Sequence, residues 1–461
     1  VDTIDFSLNF DEKQKTLITH LTAPHINYSG NEIDSLKLSL QADEKNLKFD
    51  FGFKAVNAGP FNIPRTSITG IKENELFHLK FKAEKENKLL YYLKSNLSNA
   101  NDRIQFSVDS DSLLLNGKKW LISQKNKAFL KSDSLVFENF EIKKGDQLLK
   151  ISDAFEDISK SHLGLEFKNF NLNEILNYFN PEEQLVKGNL NGNFIIEEPL
   201  NDTGIVAKMN ISQLEILDAY LGKLDFNGRS IDGNNYDFDA KIREGNVNLD
   251  LQGAYSSSGE NPNLDLKINL NEIKVKALEN LSFNTISEGT GSLSGKFNFK
   301  TRGEETIYTG ALAFNKAGFK VNMLNTSFML PAESLEIDDQ GLKFDDFSIR
   351  DAKDNLFSVS GEIRTDRIIN PEFDLNFKAD DFKVLDAGIE DNSSFYGKAV
   401  IDAEGTLKGD LEIPDLDATF KIGSATDFVY VLPQSTASIE RREGVIRFVN
   451  REDPDEILTK N

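Results

Sequence analysis

Four histidines, His20, His25, His78 and His162, are the first residues to examine for chemistry in this chain of 461, which contains no cysteine. None of them pairs at the close intervals that place two ligands on one helix face, so they read as surface or turn histidines. The lack of cysteine excludes disulfides and thiolate metal sites. The stretch "GTGSLSGK" (289–296) resembles a phosphate loop, but Thr290 holds the position of the first glycine and Phe297 that of the Ser/Thr. Its glycine spacing also fails as a dinucleotide fingerprint, and a strand follows where a helix should begin. "DSDS" (109–112) lacks the glycine and glutamate of a calcium loop. Trp120 reads as a packing anchor. No nucleophile elbow or carboxylate pair stands out, so the expectation is a protein that is not an enzyme and uses no cofactor or metal.

Composition narrows the class. The hydrophobic fraction of 39% and 35 phenylalanines describe a folded chain, since disordered segments avoid aromatics. A formal net charge of -22 argues against nucleic acid as a partner and, more weakly, against anionic membrane surfaces. No apolar run approaches the ~18 residues of a membrane span; the longest are "LLYYL" (89–93) and "FVYVL" (428–432). The sequence opens without Met or a signal peptide, and both ends fall inside patterned sequence. It is therefore expected to be part of something longer, with any anchor or address outside it.

The elements that carry this sequence are strands. Apolar and polar residues alternate in Leu47-Lys-Phe49-Asp-Phe51-Gly-Phe53 and Leu264-Asp-Leu266-Lys-Ile268-Asn-Leu270, the pattern of antiparallel sheet with one side in water. Gly, Asn, Asp and Ser clusters such as 232–235, 256–263 and 301–305 mark turns. Short helices are expected at 171–179, 275–283 and 382–390. A repeat underlies the pattern: "GNLNGNF", "GSLSGKF" and "GTLKGDL" begin at 188, 291 and 405, which differ by 103 and 114 residues. Residues 253–275 reappear as 361–384, and "LVFENFEI" (135–142) echoes "LKFDDFSI" (342–349). We read residues 1–461 as one elongated repeat-built region, with approximate units 1–100 (atypical, without the glycine motif), 101–200, 201–300 and 301–461.

In a strand, residues i, i+2 and i+4 share a face. Both motif glycines then fall on the apolar side, marking a bend or a close approach. The expected apolar lining is Phe49, Phe51, Phe53, Leu190, Phe194, Ile196, Leu264, Leu266, Ile268, Leu293, Phe297, Phe299, Phe373, Leu375, Phe377, Leu407, Leu411 and Ile413. The expected fold is all-β: a long, curled antiparallel sheet, open along one side, with a few short helices. About three dozen strands at ~4.8 Å spacing would make a trough on the order of 150 Å long.

The G-x-L-x-G strand followed by apolar alternation, "NGKKWLISQKN" leading into "LVFENFEIKKGDQLLKI", and the closing stretch Tyr430 to Leu458 resemble the AsmA-like proteins. Within them the similarity is to the TamB family, in its Bacteroidetes-type form. The last of these stretches places the chain just upstream of the family's C-terminal domain, so that domain and the inner-membrane anchor are expected to be missing. The resemblance implies a periplasmic bridge in a Gram-negative bacterium, inner-membrane anchored through a missing N-terminal segment. Such a bridge would conduct phospholipid, by its acyl chains, along an apolar β-groove towards the outer membrane. It also implies a TamA-like outer-membrane barrel as partner and, as an alternative function, a scaffold for assembling barrel proteins. A closed structural stalk is the third reading.

Overall fold

A computed structural model describes residues 3–100, 103–130, 135–156, 158–200, 203–257, 262–302, 305–330, 332–365 and 370–431. The stretch 432–461, which holds most of the closing segment that carried the resemblance, lies outside the described residues. Strands hold 72% of the structure and helices 3%, far from the ~20–25% strand of an ordinary domain. The strands form two large antiparallel sheets, open rather than closed into a barrel, as the alternation predicts.

The first sheet has 14 strands and runs from Asp5–Asp11 through neighbouring hairpins to Arg103–Val108, then Lys127–Leu130 and Leu135–Glu138. A small hairpin, Ala55–Ala58 with Phe61–Ile63, branches from it. The second sheet has 20 strands, from Leu121–Ile122 and Glu141–Lys144 to Asp427–Tyr430. In both, strands adjacent in sequence are nearly always adjacent in space. Short turns with positive-φ Asn, Asp and Gly residues join them, as at Gly30, Asn74 and Asn87.

Two of the three expected helices form. α1 covers Asn173–Leu176 and α2 covers Val275–Leu281, each just before a strand carrying the repeated glycine motif. The third expectation, a helix over 382–390, is wrong: most of it continues the strand Glu372–Ala387. The register against Phe395–Asp410 shifts between Ala379 and Phe382 and again between Lys383 and Leu385. Two bulges turn a period of two into spacings of three, so Ala379, Phe382 and Leu385 are all buried on spacings that imitate a helix face.

The motif glycines answer to close approach by the protein's own atoms. Gly192, at φ +117°, and Gly291, at φ +68°, face the backbone of the next strand, at Lys208 and Lys316. A side chain there would overlap it, and Gly291 sits where the register shifts between Thr290 and Ser292. Elsewhere a glycine accepts a neighbouring ring: Gly253 lies beneath Phe238, and Gly310 beneath Phe297. Glycine therefore lets the sheet bend and lets large rings lie across it.

The core is distributed. Trp120, 0% exposed, stacks obliquely on Phe170 at 5.5 Å within a cluster holding Val108, Leu113, Ile122, Phe140 and Leu190. That cluster joins the end of the first sheet to the start of the second, and confirms Trp120 as an anchor. Further clusters form around Leu221 and Val247, around Val275, Leu293 and Phe347, and around Phe328 and Phe382. His162 meets the expectation of a turn histidine, and it is buried. Its Nε2 accepts the Phe155 N–H at 2.9 Å, and its Nδ1 donates to the Lys160 carbonyl at 2.7 Å, a neutral imidazole closing a turn.

Candidate functional site

Directly opposed residues of an antiparallel pair share a face, so the register traces which side chains lie together. In the second sheet one row reads Leu165, Phe194, Ala207, Gly228, Phe238, Gly253, Leu266, Phe299 and Tyr308 across successive strands. A parallel row passes through Met209, Phe226, Leu251, Ile268, Phe297, Gly310 and Ile337, and then on through Leu342 and Ile363 to Phe373. In the first sheet Leu38, Phe51, Ile68, Phe81 and Leu93 form the equivalent row. In the second sheet Ala207, Gly228, Gly253 and Gly310 stand opposite Phe194, Phe238 and Phe297 and leave room for those rings. Each sheet thus carries one continuous apolar face.

Most of the expected lining falls on these faces. Phe49, Phe51 and Phe53 lie together in the first sheet, the last two in an edge-to-face contact at 6.3 Å. Leu190, Phe194, Ile196, Leu264, Leu266, Ile268, Leu293, Phe297 and Phe299 share the face of the second sheet. Phe373, Leu375, Phe377 and Leu407 extend it, with Leu375 directly opposite Leu407. Leu411 and Ile413 do not join it. Their strand ends at Asp410, and they stand 60% and 78% exposed in the following turn, because Asp410 bonds the N–H groups of Glu412 and Ile413 and reverses the chain. The sequence reading missed Phe226, Phe238 and Leu251, although the alternation Tyr236-Asp-Phe238-Asp-Ala240 announces the same face.

Burial varies along the strands. Leu190 and Leu293 are buried near the end where α1 and α2 pack, and Leu281 of α2 joins the cluster of Leu221 and Val247. Leu266, Ile268, Phe297, Phe299, Leu375 and Leu407 are half-buried and belong to none of the buried clusters among the described residues. The helices thus wall one lip of a furrow whose middle stays open. The opposite face of the second sheet is polar. Asp250, Asn269 and Lys296 follow one another across it, and two adjoining shallow hollows of about 750 and 700 Å³ share Asp237 and Asp265.

Residues 345–461 match the family model of the TamB C-terminal domain. That segment is TamB-like. The match corrects the expectation that the sequence stops short of that domain. It begins in the strand Gly341–Arg350 and takes in the last strands of the second sheet, which share the build of the earlier ones. No curated protein and no solved structure matches the chain. The matched domain supports a role in outer-membrane assembly and translocation and a place in the cell envelope. Among the described residues no helix is long and apolar enough to cross a membrane.

Proposed function

We propose that this TamB-like chain is a non-enzymatic conduit in the periplasm, carrying phospholipids between inner and outer membranes with their acyl chains in the apolar furrow. The observation behind this reading is the continuous row from Leu165 to Tyr308, whose large side chains are half-buried and belong to no buried cluster among the described residues. Each acyl CH₂ held out of water gains ~0.8 kcal/mol, so a chain of about sixteen carbons would otherwise face more than ~10 kcal/mol in an aqueous gap. The polar reverse face and the net -22 keep the outside hydrated. An inner-membrane anchor beyond this sequence and a TamA-like barrel at the far end complete the proposal.

The test is Leu266→Asp, assayed by native mass spectrometry for co-purified lipid and by circular dichroism for folding. A conduit keeps its fold, because Leu266 is only half-buried, and loses bound lipid. Unfolding, or lipid binding unchanged, overturns the reading.

A second reading has its own support. The strand Asp5–Asp11 leaves one edge without a partner among the described residues, with Phe6, Leu8 and Phe10 each more than half exposed. Such an edge suits addition of a client β-strand during barrel assembly. Crosslinks from Phe6 to unfolded barrel polypeptide, with Leu266→Asp harmless, would favour it over lipid transport.

A further inference from the structure

The chain between α1 and the first motif strand leaves its own sheet. It emerges from the second sheet at Asn171 and lies across the first. There the Tyr178 ring packs on Phe81 at 5.9 Å and on Tyr91 at 5.5 Å, and its hydroxyl lies 3.1 Å from Thr66 Oγ1. Phe179 packs edge-to-face on Phe61 at 6.1 Å. The Asn62 N–H donates to the Phe179 carbonyl at 2.7 Å, and Asn180 Nδ2 donates to the Pro60 carbonyl at 3.0 Å. Phe81 belongs to the apolar row of Phe51 and Ile68, so the segment covers the first furrow where it approaches the junction.

The attachment differs in kind from that of α2. α2 buries Val275 and Ala277 against its own sheet and is sealed by apolar contact. α1 instead buries a carboxylate: Glu174 is 1% exposed, with Oε1 accepting Lys118 Nζ at 3.0 Å and Lys144 Nζ at 2.8 Å. Among the described residues its Oε2 has no hydrogen-bond partner, and neither does the buried hydroxyl of Tyr91. A buried polar network with members left unsatisfied is weakly held. Meanwhile Ile175 and Phe179 keep over a third of their surface in water. The hairpin that receives the segment, 55–63, is itself a branch of the first sheet.

We propose that residues 172–184 are a detachable strap that, when docked, closes the first furrow to acyl chains short of the junction and, when lifted, opens it as far as the junction. The proposal rests on the acyl-carrying reading of the furrows. Docked, the strap hides Phe81 and Tyr91; lifted, it uncovers them on the face that Leu93 and Leu97 continue towards the Trp120 cluster.

The absence of cysteine makes a unique thiol pair possible. Asn62→Cys with Phe179→Cys, oxidised by diamide, locks the strap down; Tyr178→Ala with Phe179→Ala releases it. The full chain is exposed to a diazirine-bearing palmitate and the labelled peptides are mapped. Labelling of 76–97 should rise roughly fivefold or more on release, the scale of losing one or two aromatic contacts. It should fall below wild type in the oxidised pair and return on reduction. Tyr178→Phe, which keeps the ring, should stay near wild type, and Glu174→Gln should move part-way towards the released form without a change in volume. Equal labelling of 76–97 in the oxidised and reduced pair overturns the strap. Labelling of 262–302, equal in all variants, reports an intact second furrow. Its absence in every form would instead reject the acyl-carrying reading, and the strap with it.

Discussion

Asp351 shows how a single side chain can hold an irregular turn in a protein made almost wholly of strands. It is 2% exposed. Burial alone would raise its pKa. The opposing hydrogen bonds prevail: the N–H groups of Lys383 at 3.0 Å, Asn355 at 3.0 Å and Lys353 at 2.8 Å, with Asn355 Nδ2 at 3.0 Å, hold the carboxyl below its usual range. A lowered folded-state pKa means that the ionised group adds stability above the unfolded value of about 3.9 and loses it as the pH falls through the lower folded value. Urea denaturation of wild type should therefore weaken more steeply below about pH 4 than that of Asp351→Asn. Parallel acid limbs for the two proteins would show that the turn does not depend on the charge. The site also ties Lys383 of one strand to the loop before another, in the region where the two bulges fall.

At the scale of elements, Trp120 and the strap mark where the two sheets meet. Trp120→Ala should cost about 3–5 kcal/mol, read as a shift in the urea midpoint, because its ring fills the junction against Phe170 and Phe140. Phe299→Ala, on the open part of the furrow, should cost well under half of that. Equal losses would mean that the furrow is packed as tightly as the junction. Strand identity and the one-sided face were legible in the sequence because side chains alternate with the pleat whatever the neighbouring strand is. The bulged segment 382–387 was misread because its register shifts reproduce helical spacing. Leu411 and Ile413 were misplaced because the alternation runs on past Asp410, where a side chain turns the backbone. The strap could not be read at all: Tyr178 meets Phe81 and Tyr91 across roughly ninety residues of chain, and nothing local to 171–179 names that partner.

At the scale of the whole molecule, hydrogen-bonded strands follow one another from Asp5 to Tyr430 with a change of sheet near residues 121–138. Stability in such an array is close to a sum of neighbour terms, as in other repeat architectures. The G-x-L-x-G period recurs because each unit must reproduce the same bend for the furrow to stay aligned. The same connectivity has a mechanical corollary. Tension applied between the two ends would load the hairpin of Asp5–Asp11 first, opening its hydrogen bonds one after another in the manner of a zip, since among the described residues no later strand clasps it shut. Pulled in optical tweezers, the protein should lengthen in many low-force steps, each near the contour of one or two strands, with a higher step where the Trp120 cluster gives way. In the proposed bridge, such a build would release slack when the membranes drift apart, and rewind when they return.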